Sequence, residues 1–257
     1  MEHISHSQLT TFTDCNLKWK LSREQLAIQG QDDEGGTWAQ KAGSVIHTVM
    51  ELYHSPQYKQ RNPDDIPTFF EHAMEETPLK APYEGQVTAS LNHFIDTFGL
   101  DPKHNPDFVE LAFEVPLIKG FTLAGIFDDI SFDHVNKELV IGEYKSSLKP
   151  IDAQEKVWQT YQPFVYQYAA SIMYPDYRHK AMRYTLLDPK GVQRVERPMY
   201  PESLPEWTAY LKRQAKQMLA VKEGKEIAFP NYSWKCNGGI GCAFWDGVCQ
   251  RKLMIGV

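Results

Sequence analysis

Long apolar runs are missing from this chain of 257 residues. No stretch approaches the ~20 consecutive apolar residues that a membrane-spanning helix requires, so the sequence reads as a soluble protein. The opening Met1-Glu2-His3-Ile4-Ser5-His6 carries neither the charged leader nor the apolar segment of a signal peptide. A cytoplasmic protein is expected. Positive charge is in deficit too, with 27 Lys and Arg against 33 Asp and Glu and a net charge of −6. Affinity for phosphates comes largely from basic side chains and the counterions they release. A protein that coats nucleic acid along its whole surface is therefore excluded, while local basic clusters are not. No G-x-x-x-x-G-K-[ST] phosphate loop occurs, which excludes a motor built on that nucleotide-binding motif. The four cysteines, at 15, 236, 242 and 249, are unevenly placed, and without a signal peptide a secreted disulfide scaffold is not expected. Internal repeats and low-complexity linkers are absent as well.

What is present suits one enzyme-sized domain spanning 1–257. Hydrophobic residues make up 42% and aromatics 12%, enough to bury a substantial core. Helical periodicity covers 5–22, 37–54, 86–98, 152–174 and 203–223, and extended runs cover 109–118, 121–132, 138–146, 180–187 and 192–198. This is an α/β order. Residues 55–83, rich in Pro, Asp and Lys, read as a peripheral insertion with a short amphipathic piece at Phe69–Met74. Asp188-Pro189-Lys190-Gly191 marks a turn. Pro163 cannot sit inside a regular helix without clashing with the preceding turn, so a helix either begins near 162 or kinks there.

Side chains alternate along a strand. With 138–146 extended, Leu139, Ile141, Glu143 and Lys145 share one face, and Val140 and Tyr144 share the other. Asp128 closes the apolar run from Phe121 to Phe127, and Asp133-His134-Val135-Asn136-Lys137 reads as a hairpin connection that returns the chain antiparallel. That brings Asp128 close to Glu143. Two carboxylates and an ammonium at neighbouring strand ends suit a metal-dependent phosphodiesterase. Their oxygens can hold a hard cation such as Mg²⁺ or Mn²⁺, with the lysine beside the attacked phosphate. A charge pair on an edge strand is the plainer reading of Glu143 and Lys145, and so short a motif does not separate the two. Glu114 reads equally as a further site carboxylate or a surface group.

These residues keep informative company. Gly125-x-x-Asp128 and Glu143-Tyr144-Lys145-Ser146-Ser147 are preceded by Gly43-x-x-x-His47 and followed by Gln162-x-x-x-Tyr166, and the chain starts with Ser5-x-Ser7-x-Leu9-x-x-Phe12-x-x-Cys15. Together, in this order, they resemble the RecB-type, Cas4-like branch of the PD-(D/E)XK nuclease superfamily. The resemblance implies a restriction-endonuclease-like core, a mixed β-sheet flanked by helices. It implies catalytic roles for Asp128, Glu143 and Lys145, with Gln162 and Tyr166 positioning water and DNA. His47, Asp128, Glu143 and the backbone carbonyl of Tyr144 would ligate Mg²⁺ or Mn²⁺. The implied activity is exonucleolytic hydrolysis of single-stranded DNA, or DNA with free ends, in recombination, repair or phage DNA metabolism, with a helicase or recombination complex as a possible partner. The competing class is a catalytically silent nuclease-fold subunit that binds DNA.

Four cysteines match the ligand count of an iron–sulfur cluster and of a structural zinc; two disulfides or four unrelated thiols are the alternatives. The same resemblance implies a [4Fe–4S] cluster on Cys15, Cys236, Cys242 and Cys249, clamping residues 1–35 to 225–257, with Zn²⁺ as the alternative. The spacing Cys236-x5-Cys242-x6-Cys249 is wider than is usual in the family. Candidate DNA contacts are Lys18, Lys20 and Arg23, with further basic groups at Arg178, Lys180, Arg183 and at Lys212, Arg213, Lys216; each set is also an ordinary solvated face. Trp19, Trp158, Tyr161 and Trp234 are candidates for stacking on bases, or for the core.

Overall fold

The computed structural model describes residues 2–24, 38–55, 62–99, 106–146, 160–231, 242 and 244. Its elements are β1 (Glu2–Ile4), α1 (His6–Asp14), α2 (Asn16–Arg23), α3 (Trp38–His54), α4 (Ile66–Glu76), α5 (Ala81–Phe98), β2 (Phe108–Ile118), β3 (Phe121–Asp133), β4 (Glu138–Ser146), α6 (Gln162–Met173), β5 (Arg178–Asp188), β6 (Gly191–Pro198) and α7 (Leu204–Lys222). Two compact units divide the chain: Met1–Glu34 with Glu114–Ala124 and Pro205–Val257, and Gly35–Phe113 with Gly125–Leu204. Among the described residues no helix is long and apolar enough to cross a membrane.

The second unit carries a mixed sheet flanked by helices. β2 pairs with β3, β3 runs antiparallel to β4, β4 parallel to β5, and β5 antiparallel to β6. A parallel neighbour needs a crossover rather than a hairpin, and α6 lies in the connection between β4 and β5. The β3–β4 turn is built as expected: Asp133 Oδ1 accepts the backbone N–H groups of Val135 and Asn136 at 3.0 and 2.9 Å, and Lys137 takes the left-handed conformation that reverses the chain. α3, α4 and α5 share one core, in which Val45, Ile46, Val49 and Met50 meet Ile66, Phe69, Val87, Leu91 and Phe94, with Tyr144 of β4 and Leu187 of β5 beneath them.

Three sequence expectations change here. The segment 55–83 was expected to be peripheral, yet α4 buries Ile66, Phe69 and Ala73 in that core. The helix expected at 86–98 starts at Ala81, because Pro82 occupies its first turn, where a missing N–H costs nothing. Of the helix expected at 152–174, the described part starts at Gln162, with Pro163 in its first turn rather than at a kink; residues 151–159 lie outside the described ones.

In the first unit, β1 pairs in parallel with the start of β3, Glu2 opposite Phe121 through Ile4 opposite Leu123. The helix expected at 5–22 is two helices. Cys15 is extended at φ −162°, ends α1 and caps α2, its Sγ accepting the Lys18 N–H at 3.4 Å. Ser5 opens α1 with a reciprocal capping box to Gln8. The segment after α7 lies against this joint: the Phe229 N–H donates to Asn16 Oδ1 at 2.8 Å, the Asn231 side chain to the Asp14 carbonyl at 2.8 Å, and the Asn231 N–H to Cys15 Sγ at 3.5 Å.

Candidate metal centre

Two glycines set the spacing of the site. A Cβ on Gly43 would stand 3.1 Å from Ser146 Oγ, so the bare residue lets α3 approach the end of β4. His47 is four residues on and therefore on the same side of α3, which brings its Nδ1 to 3.5 Å from Asp128 Oδ2 and 3.9 Å from Glu110 Oε1. Gly125 gives way to the ring of Phe113, which a Cβ would meet at 2.6 Å. Phe113 packs on Phe127 with centroids 4.5 Å apart, anchoring β3 just before Asp128.

Registered β3–β4 pairing stops at Asp129 opposite Gly142. On the next step a carboxylate replaces the ladder: Asp128 Oδ2 accepts the Tyr144 N–H at 2.7 Å. Asp128 and Glu143 are both buried beside this break. Burial and the nearby Glu143 carboxylate hold the Asp128 pKa well above the usual carboxylate range. Burial disfavours the charged form of His47, but Glu110, Asp128 and Glu143 outweigh it and raise the imidazole pKa.

Lys145 donates to Glu143 Oε1. The other oxygen, Glu143 Oε2, is buried and has no hydrogen-bond partner among the described residues, and the same is true of the Tyr184 hydroxyl. Tyr184 stands opposite Glu143 in the β4–β5 register. Ligand atoms of His47, Glu110 and Asp128 all lie within 4.8 Å of one another. Crowded carboxylates, an orphaned carboxylate oxygen and an imidazole are the donor set of a hard divalent cation, so these residues fit Mg²⁺ or Mn²⁺.

Glu110 and Tyr184 were not singled out in the sequence. The carboxylate considered on β2 was Glu114, but Glu114 is half-exposed and lies 3.6 Å from His3 in the first unit. Glu110 and Glu114 have the same parity on the strand, so alternation could not choose between them. What re-aims the backbone at Glu110 is its φ of 45°, left-handed and uncommon for a residue with a Cβ.

The other expected residues fall as follows. Gln162 Nε2 donates to the Tyr166 hydroxyl at 3.0 Å, which donates to the Ile126 carbonyl at 2.7 Å, two residues before Asp128. Burial, then Glu143 and Asp128, push the Tyr166 pKa up. The Tyr144 side chain is buried in the core and bonds Asp129, leaving its backbone at the site. Lys20 pairs with Glu24 at 3.6 Å and Arg23 lies over Trp19, while Lys18 is exposed. Arg178 and Lys180 both engage Glu138, and Arg183 engages Glu196. Trp19 is core. Cys15 and Cys242 are half-buried and not in disulfides; Cys236, Cys249, Ser147, Trp158 and Trp234 lie outside the described residues.

A mixed sheet whose central strands part around a histidine, acidic side chains and a lysine has the architecture of the metal-dependent nucleases. The family comparison agrees: the model of the PD-(D/E)XK nuclease superfamily matches residues 3–250, and the chain belongs to that superfamily. Among solved structures it is similar to a candidate exonuclease from Eubacterium rectale, at 14% identity over 92% of this chain and 86% of that one, with a TM-score of 0.56. It also aligns with the structure of SSO0001, at 15% identity over 92% of this chain and 94% of that one, but the TM-score of 0.37 is too low to carry an argument. Among curated proteins, none matches the sequence.

Proposed function

We propose that this protein is a metal-dependent deoxyribonuclease of the RecB-type, Cas4-like branch, an exonuclease on single-stranded DNA that serves recombination, repair or phage DNA metabolism. The observation that carries this reading is the convergence of His47, Glu110 and Asp128 beside the orphaned Glu143 oxygen. His47, Glu110, Asp128, Glu143 and the Tyr144 carbonyl would hold Mg²⁺ or Mn²⁺, which supplies Lewis acidity and lowers the pKa of water. Lys145 reaches the same space from one strand position beyond Tyr144. With Glu143 among the cation's ligands, the Lys145 ammonium would be available to orient the attacking water and to offset charge on the phosphate oxygens. Gln162 and Tyr166, held by the Ile126 carbonyl, fix the polar wall along which water and the strand are placed.

A [4Fe–4S] cluster on Cys15, Cys236, Cys242 and Cys249 would clamp the chain ends. Its support is the 229–231 segment lying on Cys15, whose sulfur accepts the backbone N–H groups of Asn231 and of Lys18 in α2. The donors are soft thiolates suited to iron or zinc.

Purified protein given Mg²⁺ or Mn²⁺ and end-labelled single-stranded DNA is expected to release short products from an end. Asp128→Asn and Glu143→Gln should each lower turnover by about a thousandfold, and Glu110→Gln should raise the Mn²⁺ needed for half-maximal rate by about tenfold. Lys145→Met should lose turnover while still binding metal. Wild-type protein that binds DNA but cuts no substrate would favour the silent subunit; full activity in Asp128→Asn or Glu143→Gln would remove that residue from the centre.

A further inference from the structure

Away from the metal centre, the first turn of α3 and the first turn of α5 build a second feature. The rings of Trp38 and Tyr83 stack at 5.6 Å between centroids and 8° between planes. Two ammonium groups lie over the same indole, Lys41 Nζ at 5.0 Å and Lys80 Nζ at 4.7 Å from its centroid. Among the described residues neither lysine pairs with a carboxylate. By contrast, Arg178, Lys180 and Arg183 on β5 are engaged by carboxylates.

The placement relative to the cut is set by α3. His47 and Gly43 face the end of β4, whereas Trp38 and Lys41 share a face about half a turn round the helix. Trp38 is nine residues before His47, roughly 14 Å along the axis, in the direction leading from His47 past Ser146. That offset plus the ~10 Å width of a helix is spanned by about seven stacked nucleotides.

We infer that Trp38, Tyr83, Lys41 and Lys80 form a platform that holds the single-stranded part of the DNA substrate several nucleotides from the scissile phosphate. A base stacks on the preassembled aromatic pair, and the two ammonium groups leave the ring for the flanking phosphates. Stacking on rings beside basic side chains is the sequence-tolerant mode of single-strand binding. This inference rests on the nuclease reading for its substrate, though not for its binding chemistry.

Binding can be read without cleavage, using a ~15-nucleotide oligothymidylate in metal-free buffer. Trp38→Ala and Tyr83→Ala should each weaken binding about 10- to 100-fold, with Trp38→Phe restoring most of it. Lys41→Gln combined with Lys80→Gln should shallow the salt dependence by about 1.4 in log–log slope, two phosphate contacts on a single strand. Hydrolysis of bis(p-nitrophenyl) phosphate, too small to reach the platform, should be unchanged in all of them. Oligothymidylate affinity within about twofold of wild type in Trp38→Ala, or an unaltered salt slope in the lysine pair, overturns the platform. So does a parallel loss of small-diester hydrolysis, which would mark a general defect of α3. If the variants lose binding while wild-type protein hydrolyses no diester, the nuclease reading falls and the platform stands.

Discussion

His179 is a titratable residue sealed into β5, 5% exposed. Its Nε2 is 3.0 Å from the Ala181 carbonyl, and Nδ1 has no partner among the described residues. Burial pushes its pKa down to about 4. The unfolded chain binds a proton near the usual histidine value, about 6.5, so below that pH unfolding takes up a proton that the native state refuses. Stability from this residue is fully present above about pH 6.5 and is lost progressively down to about pH 4, by about 3 kcal/mol in all. His179→Leu should flatten that limb of a stability–pH curve from chemical denaturation; an unchanged slope between these pH values would mean that the imidazole is not held neutral. Asp129 acts with the opposite sign, since burial raises its pKa to about 6 and its charging costs stability as pH rises, so the difference between variant and wild type is the clean measure. At this scale the sequence made the proximity of His47, Asp128 and Glu143 legible, though not their role, where chemistry and spacing coincide. It was silent where one backbone angle decides, as at Glu110, and where a neighbour in another strand decides, as at Tyr184.

The break between β3 and β4 rests on a pair that neither strand shows alone. A Cβ on Gly142 would lie 2.0 to 2.3 Å from the carboxyl atoms of Asp129, which fills the gap beneath it and bonds the Tyr144 side chain. Gly142→Ala must displace a fully buried carboxylate, and overpacking of this kind costs about 1 to 3 kcal/mol. Thermal unfolding should show that loss, and because Tyr144 also supplies the N–H to Asp128, cleavage per folded molecule should fall with it. A variant as stable as wild type would show that Asp129 swings aside freely. The strands and their hairpins could be read from alternation and turn residues. The break at Cys15 could not, because a thiol in the role of an N-cap lacks the usual Ser, Thr, Asp or Asn signature. Nor could the burial of α4, whose polar flanks conceal three apolar contacts.

Over the whole molecule, superfamily membership was legible because its motifs are spread in order along the chain, each placed by the element that carries it. The division into two units was not, since β2 and β3 each pass from one unit to the other without a linker to mark the boundary. The chain ends are the part with most at stake. Residues 229–231 rest on the Cys15 joint through a few polar contacts. If the four cysteines share one metal centre, its binding free energy is folding free energy. Cys15→Ser should then abolish bound iron or zinc, lower the melting temperature and leave the His47 and Asp128 geometry able to bind Mn²⁺. Unchanged metal content and melting in that variant would leave Cys15 as a helix cap alone.

On the proposed nuclease reading, the Lys145 contact with Glu143 bears on how activity would be held in check. The ammonium that would serve the phosphate is occupied by the same carboxylate that would serve the cation. Arming would then be sequential, with the cation first winning Glu143 from the lysine. At low free metal the two charges would quench one another, a latency that follows the ionic state of the surroundings and needs no inhibitor.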